Sequence, residues 1–337
     1  MKKAISVFSF APSGPRRLAF LLAVLLAATS CGKDKEKPSA HAGEQPAPGS
    51  PAPTETAAPE RRPTILARAA PNQVPYSGLN GPRGATLDDK GRLWVANFGK
   101  SEIWIFDPAG GYLGGWGNRG LGDSQFKDPC AIAVRGDDVY VADTWNGRVA
   151  LFSTSGQWKA RAPGDFYGPR GIAAAPDGKV WIADTGNQRL AVCEKNLSNR
   201  RFFGKRGSGP EEFQSPVGVA VGGDGSVYVA DAENRRIQIL DSEGHFKTRW
   251  KFSGWGPNTE PYLAVDADGS VYATDPAAGA VVLLNNKGSE VRRWTVDDAG
   301  KKFELPTGIA LDSKGRTLYV VNTNGNTIVR LNLSKKP

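Results

Sequence analysis

A chain of 337 residues with 43 Lys and Arg against 34 Asp and Glu carries a formal net charge of +9. Four of the positive charges (Lys2, Lys3, Arg16, Arg17) lie in the first 30 residues, so the remainder is near +5, too mild an excess for a nucleic-acid surface. Two histidines, His41 and His245, and three cysteines, Cys31, Cys130 and Cys193, leave little material for a histidine metal centre or a disulfide scaffold.

Residues 1–30 read as an export signal. A basic flank precedes the apolar run 18–28, whose 11 residues are too few to span a bilayer as a helix. Ala27-Ala28-Thr29-Ser30 then leads into Cys31. This ending resembles the lipobox of bacterial lipoproteins, with Ala28 where that family usually has Leu or Val. The resemblance implies that Cys31 is lipidated, that the chain is exported to the cell envelope, and that this anchor is its one membrane attachment. Residues 31–62 are rich in Lys, Glu, Pro and Ala, with almost no large apolar side chain to offset ordering entropy. They read as a spacer. Residues 63–337 remain as one folded domain, long enough for a substantial core.

That domain repeats itself. Six copies of one pattern begin at a small-residue slot: Gly84, Ala131, Gly171, Gly218, Tyr262 and Gly308. Each predicts an apolar strand, a tight turn, a second strand ending in Asp or Asn, a polar turn and a third strand. In the second copy the strands fall at residues 132–134, 139–143 and 148–152, and Gln157-Trp158 opens a fourth. The strands are β-branched and aromatic, and Gly, Asp and Asn punctuate them at hairpin spacing. Four antiparallel strands per repeat of this length predict an all-β, six-bladed propeller. An aromatic recurs in the fourth strand (Trp116, Trp158, Phe203, Trp250, Trp294), placed to pack between neighbouring blades. The sixth copy ends after its third strand. Residues Thr64-Ile65-Leu66-Ala67-Arg68 are expected to supply its fourth and close the ring.

Three copies continue as Asp143-Thr144-Trp145-Asn146-Gly147-Arg148-Val149, Asp184-Thr185-Gly186-Asn187-Gln188-Arg189-Leu190 and Asp231-Ala232-Glu233-Asn234-Arg235-Arg236-Ile237. These resemble the NHL repeat, with its Val-Ala-Asp-x-x-Asn-x-Arg-Ile signature, over roughly residues 80–335. The resemblance implies six blades. Asp and Asn side chains bond nearby backbone and stabilise turns, so the repeated set reads as structural, with the Arg paired to an acid on a neighbouring turn. The fifth copy departs furthest, with Asp275-Pro276-Ala277-Ala278-Gly279 after its second strand and Tyr262 in the glycine slot.

Propellers bind at the face where the first strands enter near the axis. The residue before each slot should lie there, which gives Arg83, Cys130, Arg170, Val217, Pro261 and Thr307; of these Arg83, Cys130 and Arg170 are the candidate contacts, together with Tyr262 in the slot itself. Turns between the second and third strands share that face and add Phe98, Trp145 and Glu233. Arg83, Arg170 and Tyr262 together could hold an anionic or polar partner, unless the arginines pair with the repeated aspartates. No catalytic residue, metal or cofactor is expected. Propeller lyases that resemble this fold depend on histidines that this chain lacks, and lactonase-type propellers use a carboxylate where this chain has Gly81-Pro82-Arg83-Gly84. Asp266-Ala267-Asp268-Gly269 opens like a calcium loop but lacks the closing Glu, so it reads as a hairpin turn. The sequence therefore reads as a non-catalytic binding module for a protein, peptide or envelope polymer, without nucleic acid. The alternative is a lyase- or lactonase-type enzyme with a carboxylate-lined axial site.

Overall fold

The computed structural model describes residues 78–334 other than 313 and 315. The export signal, Cys31, the spacer and the expected closing strand at 64–68 lie outside these residues. Blade one is Ala85–Leu87, Leu93–Asn97, Glu102–Phe106 and Tyr112–Trp116, joined in that order as an antiparallel meander. Blades two to five repeat the pattern with inner strands Ala131–Arg135, Gly171–Ala174, Pro216–Val221 and Leu263–Val265. Blade six has three described strands, Pro306–Leu311, Thr317–Asn322 and Thr327–Asn332. The propeller reading holds, and the second copy's predicted strands match the observed ones to within a residue or two.

The glycine slots exist because neighbouring inner strands meet backbone to backbone at the axis. A Cβ on Gly171 would stand 1.9 Å from the Val217 carbonyl oxygen, and one on Gly308 would stand 2.0 Å from that of Arg83. No side chain fits at such separations without moving a strand. The Gly308 N–H donates to the Arg83 carbonyl at 3.0 Å, so blade six meets blade one at the axis.

The turns between second and third strands are the same local structure six times over. Ser101, Gly147, Gln188, Arg235, Gly279 and Asn326 all adopt left-handed backbone, with φ between 49° and 59°. Each donates its N–H to the carbonyl three residues earlier. Four of the six are not glycine, so the surrounding bonds override an unfavourable conformation.

In blades two to four those bonds come from the repeated Asp, and in blades one and six from Asn97 and Asn322, whose Oδ1 atoms accept the N–H groups of Asn80 and Glu304. Asp231 is fully buried. Its Oδ1 accepts the Gln214 N–H at 2.7 Å, and its Oδ2 accepts Asn234 Nδ2 at 2.9 Å and Arg236 Nε at 2.7 Å. Asp143 and Asp184 repeat this geometry with Arg148 and Arg189. The arginine thus pairs with the Asp of its own motif, not with a neighbouring turn as the sequence suggested. Arg236 goes on to donate to the carbonyls of Ser208, Gly209 and Glu212 in the loop from blade three. Burial pushes the Asp143 and Asp231 carboxyls up, against the pull of these donors.

The recurring fourth-strand aromatics pack between neighbouring blades as expected: a Cβ on Gly244 of blade four would stand 2.8 Å from the Phe203 ring, and one on Gly288 of blade five 2.2 Å from the Trp250 ring. The Trp116–Phe152 pair crosses between blades in the same way. Most of them also meet the aromatic of their own blade's second strand: Trp94 with Trp116, Trp181 with Phe203, Tyr228 with Trp250, and Tyr272 with Trp294, at ring separations of 5.6–6.2 Å. Strands two and four of a blade face the same side across the third, within reach of large rings.

Candidate functional site at the axial entrance

Five of the six copies enter the inner strand as Pro-x-small: Pro82-Arg83-Gly84, Pro129-Cys130-Ala131, Pro169-Arg170-Gly171, Pro216-Val217-Gly218 and Pro306-Thr307-Gly308. The proline carbonyls tie blades together on this face. Thr144 Oγ1 donates to Pro169, Thr185 Oγ1 to Pro216 and Thr323 Oγ1 to Pro82, at 2.6–2.8 Å. The fifth copy instead reads Glu260-Pro261-Tyr262, changing both the proline and the glycine positions.

Both changes act at the axis. Tyr262 is buried, and its hydroxyl lies 3.0 Å from the Cys130 carbonyl oxygen and 3.1 Å from that of Arg170. One side chain of blade five therefore reaches blades two and three. Burial holds the Tyr262 hydroxyl far above the usual tyrosine range, with Cys130 and Glu260 adding to the effect, so it stays a neutral donor. Tyr262 borders an axial cavity of about 230 Å3 walled mainly by small and aliphatic residues of the six inner strands, among them Ala133, Ala174, Val221 and Val265. Tyr262→Phe is expected to cost about 1–2 kcal/mol in chemical denaturation, since the one buried hydroxyl proton shared between the Cys130 and Arg170 carbonyls is lost.

Glu260 bridges two guanidinium groups. Its Oε2 accepts Arg83 Nη1 and its Oε1 accepts Arg170 Nη1. The Arg83 guanidinium also lies over the Phe98 ring, 4.8 Å from its centroid, and the buried Arg83 Nε has no partner. The arginines thus pair with neither the repeated aspartates nor open solvent alone; they share one carboxylate. Sequence reasoning missed Glu260. The available signal was its substitution for a proline that the other five copies keep.

The structure brings Arg83, Phe98, Cys130, Arg170 and Tyr262 into this cluster. Trp145 and Glu233 stand on the same face outside it. Trp145 N–H donates to Lys127, and Glu233 N–H donates to Gln214, stitching each turn to the incoming loop of its blade. The Glu233 carboxylate accepts Gln214 Nε2 at 2.8 Å, whereas Trp145 is 51% exposed. Tyr167, which the sequence reading left aside, is 64% exposed on the equivalent loop of blade three, where its carbonyl accepts the Gly186 N–H. Cys130 and Cys193 are free and buried, and burial pushes both thiols up to about 11. At pH 8 both stay protonated, so iodoacetamide should leave them unmodified in the native protein and label them once guanidinium unfolds it, read by peptide mass mapping. Among the described residues no three His, Cys, Asp or Glu side chains converge as a metal site.

The NHL repeat family model matches residues 79–106, 166–193 and 213–240, which fall on blades one, three and four. The E3 ubiquitin-protein ligase NHLRC1 is 30% identical over 124 residues in Rattus norvegicus and 29% over 111 residues in Homo sapiens. These alignments cover 36% and 32% of this chain, and 31% and 28% of the relatives' own length. Among solved structures, virginiamycin B lyase from Staphylococcus aureus superposes with a TM-score of 0.57 at 17% identity, covering 77% of this chain and 84% of that one. Regucalcin from Agrobacterium tumefaciens gives 0.57 at 16%, covering 79% and 93%. At these identities the likeness is one of fold.

Proposed function

For this chain, which carries NHL repeats on a six-bladed β-propeller, we propose a non-catalytic binding module. It is exported, tethered to the cell envelope through a lipid on Cys31, and takes a protein, peptide or envelope polymer on its axial face. One observation carries the reading. Of the six large apolar side chains exposed among the described residues, Leu121, Trp145 and Tyr167 stand on loops and turns of the face that holds Arg83 and Arg170. Exposed aromatics beside arginine are the side chains that dominate binding energy at interfaces. The repeated Asp, Asn and Arg are spent on turns and blade junctions, which leaves the differing residues to recognise a partner. The ubiquitin-protein ligases that match part of the chain fit a protein partner by their name.

The competing lyase or lactonase reading needs a free carboxylate or a metal at the axis. Glu260 is committed to two guanidinium groups. Elemental analysis of the purified full chain is the test. The binding reading expects calcium and zinc well below one per chain, and a stoichiometric ion would overturn it. The anchor is tested separately: Cys31→Ser should move the protein from the membrane to the soluble fraction, and continued sedimentation with membranes would contradict lipidation there.

A further inference from the structure

We propose that the Arg83–Glu260–Arg170 bridge is a carboxylate-binding site with an internal occupant. A partner's acidic side chain takes the place of Glu260 between the two guanidinium groups, and the apolar residues flanking it lie against Trp145 and Tyr167. The inference rests on the binding reading above and names the chemistry of its ligand.

The geometry supplies the recognition. Two guanidinium groups from blades one and three converge on the two oxygens of one carboxylate, so the site already holds the ligand class it fits. The cluster keeps one uncompensated positive charge. Arg83 has a donor to spare in its unpartnered Nε, and its guanidinium is oriented by the Phe98 ring. The Arg83 and Arg170 side chains are 20% and 27% exposed, so a ligand can reach them from the face. Arg83 and Arg170 stand just before the inner strands Ala85–Leu87 and Gly171–Ala174, and Glu260 belongs to neither of their blades. It stands in the loop between Phe246–Lys251 and Leu263–Val265.

The apolar part of the site adjoins the charged part through the backbone. Thr144, next to Trp145, bonds the carbonyl of Pro169, the residue before Arg170. Tyr167 precedes Arg170 by three residues in the same loop. A side-chain carboxylate and a chain terminus present the same two oxygens to the guanidinium pair; the ligand proposed is an Asp or Glu side chain within a peptide, as Glu260 is, and the peptides below separate the two sources. An internal occupant lowers apparent affinity by the fraction of time the site is open, so neutralising it tightens binding of the external ligand.

Calorimetric titration of the full chain with three peptides tests this: acetyl-Phe-Glu-Phe-amide, acetyl-Phe-Gln-Phe-amide, and acetyl-Phe-Gln-Phe with a free carboxyl terminus. Glu260→Gln should tighten the Glu peptide by about tenfold and leave the other two unchanged. Adding Arg170→Gln should remove that gain. Equal affinity of the native chain and Glu260→Gln for the Glu peptide would overturn the proposal, as would binding of the free-terminus peptide alone. If Glu260→Gln does not fold by circular dichroism, Arg170→Gln in the native chain reads the same site, with about tenfold weaker binding of the Glu peptide only. If Trp145→Ala weakens all three peptides while Glu260→Gln changes none, the carboxylate site fails and the binding reading stands.

Discussion

Asp231→Ala is expected to destabilise the propeller by about 3–5 kcal/mol in urea denaturation, the usual result of leaving a buried partner charge uncompensated. Arg236 is itself buried and would keep three carbonyl partners but no anion. The Gln214 N–H would lose its side-chain acceptor as well, and Asn234 Nδ2 would keep only the Gly207 carbonyl. Blades one and six show how the position is relieved. They carry Asn97 and Asn322 in place of the Asp, and Glu102 and Thr327 in place of the Arg. Asn97 Oδ1 still accepts the Asn80 N–H at 2.8 Å, so the turn survives without the ion pair. The double variant Asp231→Asn with Arg236→Thr should therefore cost less than Asp231→Ala alone. A double variant that costs the sum of its single changes would contradict this coupling.

Deleting residues 63–70 should lower Tm by about 10 °C, on the scale of about 2–4 °C per kcal/mol for a domain of this size. The argument comes from the described part of blade six. Thr327–Asn332 is its outermost described strand, and a surface cavity of about 470 Å3 lined by Arg316, Thr317, Arg330 and Asn332 borders it. Gly81 N–H donates to Asn326 Oδ1 at 2.7 Å, which puts the incoming chain beside the turn that starts this strand. A fourth strand running antiparallel to Thr327–Asn332 would end at that turn. An unchanged Tm would contradict closure by this segment.

The fold was legible because its cause is periodic. A slot that only a small residue fills, and an Asp that stitches the same turn blade after blade, leave a repeating mark on the sequence. What does not repeat was harder to read. Glu260 is one glutamate in a connecting loop, and its partners lie 177 and 90 residues away. Nothing local distinguishes it until the six copies are set side by side and the missing proline is noticed. Tyr262 was visible by the same comparison, but not the direction of its side chain across the ring. The motif arginines point to neighbouring turns on sequence grounds because sequence gives no sign that a residue five positions on curls back to its own Asp. Tyr167 escaped notice because exposure is decided by loop geometry, which residue type alone does not carry.

Capture from an envelope extract tests the central claim that the axial face is the binding surface. The full chain would be immobilised in three forms: native, Trp145→Ala with Tyr167→Ala, and Val291→Ala as a control for an exposed apolar residue on an outer strand. Bound components would be quantified by mass spectrometry and sugar analysis. Binding through the axial face predicts at least one component held by the native and Val291→Ala forms and lost from the double variant. Identical capture by all three forms would contradict it.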